Sequence, residues 1–448
     1  MRKLLSLAVL LTTIVPAVTF AAPEPNREVP PRLDLPGAIQ FAIENNFDIR
    51  QARERIRQQE GLLVEIRARS IPNAGVSYYY TKFDDQRLEP SQRVTDQDWA
   101  VELTVTQTLF AGGSIYSSIG AQKLRREAAL LELRAVINNV LFGVRSKFYS
   151  VLLAKKKISV AEQSLALLEE QLKTVRDRYE AGTLSKFDLL RAEVSVANGK
   201  PPLIRARNQF RISIEELRQI LGFMSVTPGT VTKLPEFLGE LSYEPTQIEL
   251  AGALESARAN RPELQQLAKL EQAAEKNVTA AKGNYWPSLG VGAGYRIKKS
   301  AADNEIDHTR EGWSAIAQGN WAIFDGRATA GKVAQARSAL AQMKLTTGSQ
   351  QLAIDVEVRR AHSALQEAAE LVTASKAVVE QAAESVRLSK ARFAAGTATQ
   401  LDVLQAQVAF TDASTNEVEA LYNHTIALAS LRKAMGVADG AAPAATNP

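Results

Sequence analysis

The sequence predicts a mainly α-helical protein with a small β part, built as two copies of one helix–β-hairpin–long helix–helix unit. Three observations predict it. Residues recur along the chain at a fixed offset of 214 or 215. Two long stretches lack proline and nearly lack glycine. Between the helical stretches the apolar period changes to two, the period of a strand.

The repeat comes first, because missing it would misread the whole chain. Leu35, Gly37, Ala38, Ala42 and Asn45 match Leu250, Gly252, Ala253, Ala257 and Asn260 at offset 215. Pro72, Gly75, Val76 and Tyr80 match Pro287, Gly290, Val291 and Tyr295 at the same offset. From Trp99 and Trp313 onward the offset is 214, so one insertion falls between Tyr80 and Trp99. The two units span 22–222 and 249–436, joined by a linker at 223–248. The insertion between Tyr80 and Trp99 marks a surface loop.

The N-terminus, 1–21, has the form of a secretory signal: Arg2 and Lys3, then the apolar run Leu4 to Val15, then Thr19-Phe20-Ala21 as a cleavage site. An uncleaved anchor is the alternative. Removing Arg2 and Lys3 takes the net charge from +5 to +3, too weak to argue for nucleic acid. The run Lys155-Lys156-Lys157 lies in a helical pattern and reads as a solvated face. There is no cysteine, which excludes disulfides, thiolate metal sites and a cysteine nucleophile. No other apolar run approaches the ~20 residues of a membrane helix, so membrane entry would require a β-barrel.

After a proline-rich lead, Leu35 to Arg69 reads as a first helix, ended by Pro72. In 73–110 a hairpin follows. Val76, Tyr78 and Tyr80 alternate with polar neighbours, as do Trp99, Val101, Leu103, Val105 and Leu109, around a polar loop from Lys82 to Gln97. The second hairpin, 288–324, carries Val291, Ala293, Tyr295 and Ile297, a loop through His308, then Trp313, Ala315, Ala317, Trp321 and Ile323.

Helical hairpins follow at 112–221 and 326–435. The first long helix runs to about Glu180, some 67 residues, or ~100 Å at 1.5 Å per residue. Ile158, Ala161, Leu165, Leu168, Leu172, Val175 and Tyr179 step 3,4,3,4,3,4, the seam of a coiled coil. The copy reads Val372, Ser375, Val379, Ala382, Val386, Ser389 and Phe393, a closer or wetter seam. The return helix should break at Gly199-Lys200-Pro201-Pro202 and run more smoothly in its copy. The linker has room for a short strand, and the tail 437–448 is expected to be flexible.

The turns themselves repeat: Arg178-Tyr-Glu-Ala-Gly182-Thr183-Leu184-Ser185 with Asp188, and Arg392-Phe-Ala-Ala-Gly396-Thr397-Ala398-Thr399 with Asp402. Ser185-x-x-Asp188 and Thr399-x-x-Asp402 look like capping boxes, which accounts for the acids structurally. Gly just past a helix end is the usual left-handed cap. Pore electrostatics stays open beside capping, since a ring of carboxylates favours cations.

A catalytic constellation is absent from the sequence, and no cofactor or metal is expected. His308, His362 and His424 are isolated, and Gly290-Val-Gly292-Ala-Gly294 lacks the spacing of a phosphate loop.

Four strands with an apolar face are unfinished. Transmembrane barrels need at least ~8 strands. Either the strands pack on the chain's own helices or several chains share one barrel. Rods of ~100 Å fold back poorly over a small sheet. Tyr78, Tyr80, Trp99, Tyr295, Trp313 and Trp321 suit an interfacial girdle in membrane lipid.

On these features the chain resembles the TolC-type outer-membrane efflux proteins. The resemblance rests on Leu35, Ala38 and Asn45, on Pro72 and Pro287, and on Leu109-Phe110-x-Gly112-Gly113 with Ile323-Phe324-Asp325-Gly326. It rests most on the repeated Arg-x-x-x-Gly-Thr-x-x-x-x-Asp turn and on the duplicated order of elements. It implies a homotrimer with a shared 12-stranded outer-membrane barrel and a periplasmic α-helical barrel. The turns would form the pore end, with Asp188, Asp402 and Gln405 as pore or gate candidates. Gly182, Thr183, Leu184, Ser185, Gly396, Thr397, Ala398 and Thr399 would meet a periplasmic adaptor (membrane fusion) protein, joined to an inner-membrane pump or ABC transporter. Family channels often carry further charges near this turn; here Ala398 and Gln405 are neutral. Small-molecule efflux and protein secretion are not separated by the sequence. The rival of another class is an exported coiled-coil scaffold of the periplasm without a pore.

Overall fold

The computed structural model describes residues 32–84, 97–223, 235–299 and 309–437. The signal segment, both hairpin loops, part of the linker and nearly all of the tail lie outside the described residues.

In chain order come β1 (Arg32–Leu33), α1 (Leu35–Asn45), α2 (Phe47–Ala68), β2 (Asn73–Lys82) and β3 (Gln97–Ala111). Then follow α3 (Ser114–Glu180), α4 (Lys186–Leu221), β4 (Glu236–Phe237), α5 (Leu250–Asn260) and α6 (Pro262–Lys282). The chain ends with β5 (Ser288–Lys299), β6 (Arg310–Asn320), α7 (Ala328–Ala394) and α8 (Gln400–Ala434). Helices α3 and α7 are each 67 residues long. Both follow from sequences with no proline and little glycine, so nothing interrupts the hydrogen-bond ladder.

The first helix is broken where one continuous helix was expected. Asn46 is extended (ψ 133°), and its side chain accepts from the N–H groups of Asp48 and Ile49 at 2.9 and 3.2 Å. Its Nδ2 donates to Ile220 O at 2.6 Å, tying the break to the end of α4. Arg261 sits at the matching break between α5 and α6, where it donates to Lys433 O at 3.3 Å and pairs with Glu357 at 2.7 Å. A short polar side chain thus restarts one helix, and a guanidinium does the tethering in the other.

Helix α4 also departs from expectation. It continues through Pro201 and Pro202 without a break. Two prolines remove two N–H groups, yet α4 packs along α3, and that packing holds the helix together. Gly199 helps: a Cβ there would lie 2.9 Å from a Leu168 methyl and 3.3 Å from one of Leu165. The two helices approach closely at this level because Gly199 has no side chain.

The core is a chain of clusters along the rods. Leu33, Ala38, Ile39, Ala42 and Ile49 pack with Val144, Phe148, Val151, Ile214, Leu217 and Phe237. Ala253 and Ala257 pack with Ile354, Val358, Leu365 and Leu431. The linker strand β4 pairs in parallel with β1, so the linker joins the first cluster. A third cluster lies at the turns: Val175, Ala192, Phe393 and Val403, with Leu172, Leu184 and Leu189 against it.

The second sheet has the order β2-β3-β5-β6, all antiparallel. Its register places Val76, Leu103, Tyr295 and Trp313 in one cross-strand row, and Tyr80 beside Trp99 in another. Strand residues alternate faces, so these side chains share a face. The opposite face carries Glu102 and Arg296, 3.8 Å apart, and Tyr79, which donates to Asp98 at 3.2 Å. No described helix covers the apolar face: Tyr78 is 66% and Trp313 80% exposed. Trp321 is corrected: β6 ends at Asn320, and the Trp321 indole donates to Tyr285 O at 3.1 Å at the helix end of the sheet. Ile323 likewise lies beyond the strand.

Candidate functional site: the paired helical turns and the open sheet

The two turns are built by the same local chemistry. After α3, Gly182 takes φ +74°, its N–H donates to Tyr179 O at 2.9 Å, and Thr183 N–H donates to Arg178 O at 2.9 Å. After α7, Gly396 takes φ +75°, donating to Phe393 O at 3.1 Å, and Thr397 N–H donates to Arg392 O at 2.9 Å. This is the paired C-terminal bonding that needs a left-handed residue. The Thr183 and Thr397 hydroxyls add bonds to the same carbonyls, at 2.9 and 3.2 Å.

Both acids cap the following helix. Asp188 N–H donates to Ser185 Oγ at 3.2 Å, and Asp188 Oδ2 accepts from Ser185 N–H at 3.3 Å. Asp402 N–H donates to Thr399 Oγ1 at 3.3 Å, and its Oδ2 accepts from Thr399 N–H at 2.7 Å. The Thr399 backbone and hydroxyl bonds, with Arg392 nearby, hold the Asp402 carboxyl below the usual carboxylate range. Asp402 and Gln405 are exposed, Asp188 is half-buried, and Leu184 packs on the cluster beneath the turns.

One contact joins the two turns. Arg178 donates to Phe393 O at 3.0 Å and to Ala394 O at 2.9 Å, and its guanidinium lies 4.7 Å from the Phe393 ring centroid. A cation on the last carbonyls of a helix satisfies groups the helix leaves open and suits its dipole. The Arg178 repeat is visible in the sequence, but its targets are backbone atoms of another helix, which leave no sequence signal. Above the turns, α3 packs on α8 through a polar seam. Gln407 Nε2 donates to Leu167 O at 3.3 Å, Thr411 Oγ1 donates to Ser164 Oγ at 2.9 Å, and Lys157 pairs with Glu419. Gln171 and Gln400 are buried with amide atoms that have no partner among the described residues.

At the sheet, the proposed girdle residues split. Tyr78, Tyr80, Tyr295 and Trp313 are exposed, and Trp99 is half-buried beside Tyr80. Trp321 instead sits with exposed Tyr285 and Trp286 at the helix end. Tyr285 and Trp286 precede Pro287, outside the alternating run, so the strand pattern does not pick them out.

Among the described residues no cluster of His and carboxylates could hold a metal ion, and no helix is long and apolar enough to cross a membrane. His362 bonds to the Ile248 carbonyl at 2.9 Å, and His424 is 2% exposed against the Tyr243 ring.

Two long antiparallel helical hairpins joined to a four-stranded antiparallel sheet, one apolar face of which no described helix covers, define the class of fold. The outer membrane efflux protein family model matches residues 38–223 and again 253–437, and the chain belongs to that family. It is 23% identical over 405 residues to the outer membrane efflux protein BepC of Brucella suis, covering 90% of this chain and 85% of that one. It is 22% identical over 337 residues to the outer membrane protein TolC of Vibrio cholerae, covering 75% and 76%. A crystal structure of CusC superposes with a TM-score of 0.76 over 93% of this chain and 95% of that chain, at 17% identity.

Proposed function

We propose that three copies form one exit duct. Four strands from each would close a 12-stranded barrel in the outer membrane, and four long helices from each would form a tube through the periplasm. The observation that carries this is the sheet: among the described residues its apolar face is uncovered, with Trp313 80% exposed, and its outer strands β2 and β6 each have one neighbour. A lone four-stranded sheet is too small to close in lipid.

The duct does no chemistry. It takes substrate from a periplasmic adaptor and an inner-membrane pump or ABC transporter, in tripartite efflux or type I secretion. Gly182 to Ser185 and Gly396 to Thr399 form the end that meets the adaptor. Asp188, Asp402 and Gln405 lie near the mouth. Tyr78, Tyr80, Trp99, Tyr295 and Trp313 contribute to one lipid interface, with Trp321 at the other. BepC is named as an efflux protein of the outer membrane, which agrees with this reading.

Fractionation and native mass measurement test it. The protein should extract with outer membranes and run at three chain masses in mild detergent. A protein released with the periplasm as a single chain would support the scaffold reading and end this one.

A further inference from the structure

At the helix end of the sheet, α6 and α7 leave a groove of about 660 Å³, within the ~300–1,000 Å³ of small-molecule sites. Ala330, Val333, Ala334 and Arg337 step by three and four along α7, so they share the face that lines it. Tyr285, Trp286 and Trp321 wall it, each at least half exposed. The Trp321 indole is held there by its 3.1 Å bond to Tyr285 O. Lys282 and Arg337 complete the lining, and no acid shares it. Neither cation has a hydrogen-bond or ion-pair partner among the described residues. Asp325, the acid at the start of α7, is taken up by the Thr329 N–H at 2.7 Å.

The first unit carries the same two cations in a different setting. Arg67 and Lys123 match Lys282 and Arg337 at offsets 215 and 214. Gln107 matches Trp321 and donates to Ser70 O at 3.3 Å, as Trp321 donates to Tyr285 O. Yet Arg67 and Lys123 share their groove with Glu60 and Glu127. The places of the three aromatics are held by Ser70, Ile71 and Gln107. Of the two units, the second alone joins acid-free cations to aromatic walls.

We propose that this groove binds the headgroup of an anionic glycerophospholipid, with the phosphate between Lys282 and Arg337 and the glycerol and upper acyl chains against Tyr285, Trp286 and Trp321. This rests on the reading of the sheet as lipid-facing and adds which lipid its helix end selects. Depth agrees with it. Eight residues separate Trp313 from Trp321, ~26 Å of strand or ~20 Å of depth at a tilt of ~40°, near the ~25 Å apolar band of a barrel. The groove therefore falls at headgroup level, where indoles and phenols are favoured. The apolar face of the sheet runs into it through Leu289, 48% exposed, on the face of Val291 and Tyr295. On the duct reading the helices lie in the periplasm, so the groove meets the leaflet made of glycerophospholipid. A zwitterionic headgroup would bring its own cation beside two unpaired ones, so a net negative lipid is selected. Both walls come from one chain, and each copy holds a complete site.

The test uses the full chain, purified in mild detergent and mixed with equal amounts of dioleoylphosphatidylglycerol and dioleoylphosphatidylcholine. Native mass spectra then count the lipid retained per chain. The natural protein should retain the phosphatidylglycerol in preference. Lys282→Gln with Arg337→Gln should lower that retention by roughly tenfold, to the level of phosphatidylcholine. Arg67→Gln with Lys123→Gln removes the same charge at the matching place in the first unit and should leave retention unchanged. Excess inorganic phosphate should not displace the lipid, because it lacks the part that the aromatics hold. Equal retention of the two lipids, or an equal fall in both double variants, overturns the site. Displacement by phosphate alone makes the groove a free-anion site and overturns the lipid as its occupant. Fractionation separates the two failures: a protein that still extracts with outer membranes loses only this inference, and one released with the periplasm loses the duct reading as well.

Discussion

Arg178 bridges to the turn beside Phe393, donating at 3.0 Å to its carbonyl while lying 4.7 Å from its ring centroid. The contact ties the end of one hairpin to the end of the other through backbone carbonyls. Charge-assisted hydrogen bonds are worth about 1.5–3 kcal/mol, and part-exposed ones sit at the low end. Arg178→Gln should therefore free the second turn locally. Amide exchange at Ala395 to Thr399 is expected to speed up by roughly tenfold, about 1.4 kcal/mol of local opening, while exchange around Phe148 stays unchanged. Unchanged exchange at Ala395 to Thr399 in the variant would show that the bridge carries no local stability.

The left-handed turns make a separate prediction. A Cβ added to Gly182 or Gly396 meets no atom within 4 Å, so the cost of alanine there is backbone strain alone. That strain is about 1–2 kcal/mol. Gly182→Ala and Gly396→Ala should raise turn exchange by similar factors, and the two should agree because their φ values, +74° and +75°, are the same within a degree.

Capping and pore electrostatics separate by substitution. Ser185→Ala and Thr399→Ala remove caps at about 1 kcal/mol each and leave the carboxylates in place, so channel cation preference should hold. Asp188→Asn with Asp402→Asn removes charge from the proposed mouth, and cation preference should fall. Preference unchanged in the double Asn variant would leave both acids as caps only. The depressed Asp402 carboxyl adds a pH sign: its cap is fully present above the unfolded carboxylate range and is lost as pH falls through the folded value, so acid should loosen the second turn.

His424 gives the second pH dependence. Burial against Tyr243 lowers its imidazole below the ordinary value. The unfolded chain then binds the proton more readily, so stability is fully present above about 6.5 and is lost as pH falls from there toward the folded value. Arg145, Arg432, Glu240 and Glu244 line the same pocket. Denaturant midpoints at pH 7.5 and 5.5 should differ for the natural protein, and the difference should shrink in His424→Gln. An equal difference in that variant would place the pH sensitivity elsewhere.

Much of this architecture is legible because helices and turns are local. The Ala181-Gly182-Thr183 turn marks the end of α3 at Glu180, and Ser185-x-x-Asp188 marks the restart one residue before α4. What was not legible depends on contacts across the chain. Asn46 reads as helix interior until Ile220 is placed beside it. Pro201 and Pro202 read as a break until α4 is seen to run on through them, packed along α3. The Trp321 position followed an alternation that stops at Asn320, where the indole turns to Tyr285 instead. Of the turn residues, the caps could be read directly, but the Arg178 bridge could not, since any exposed arginine has the same local pattern.

Single-channel recording in planar bilayers tests the central claim most directly. Purified protein should give discrete, uniform conductance steps with a preference for cations. Protein that inserts without conductance steps, or fails to insert at all, would contradict a duct built from these strands and turns.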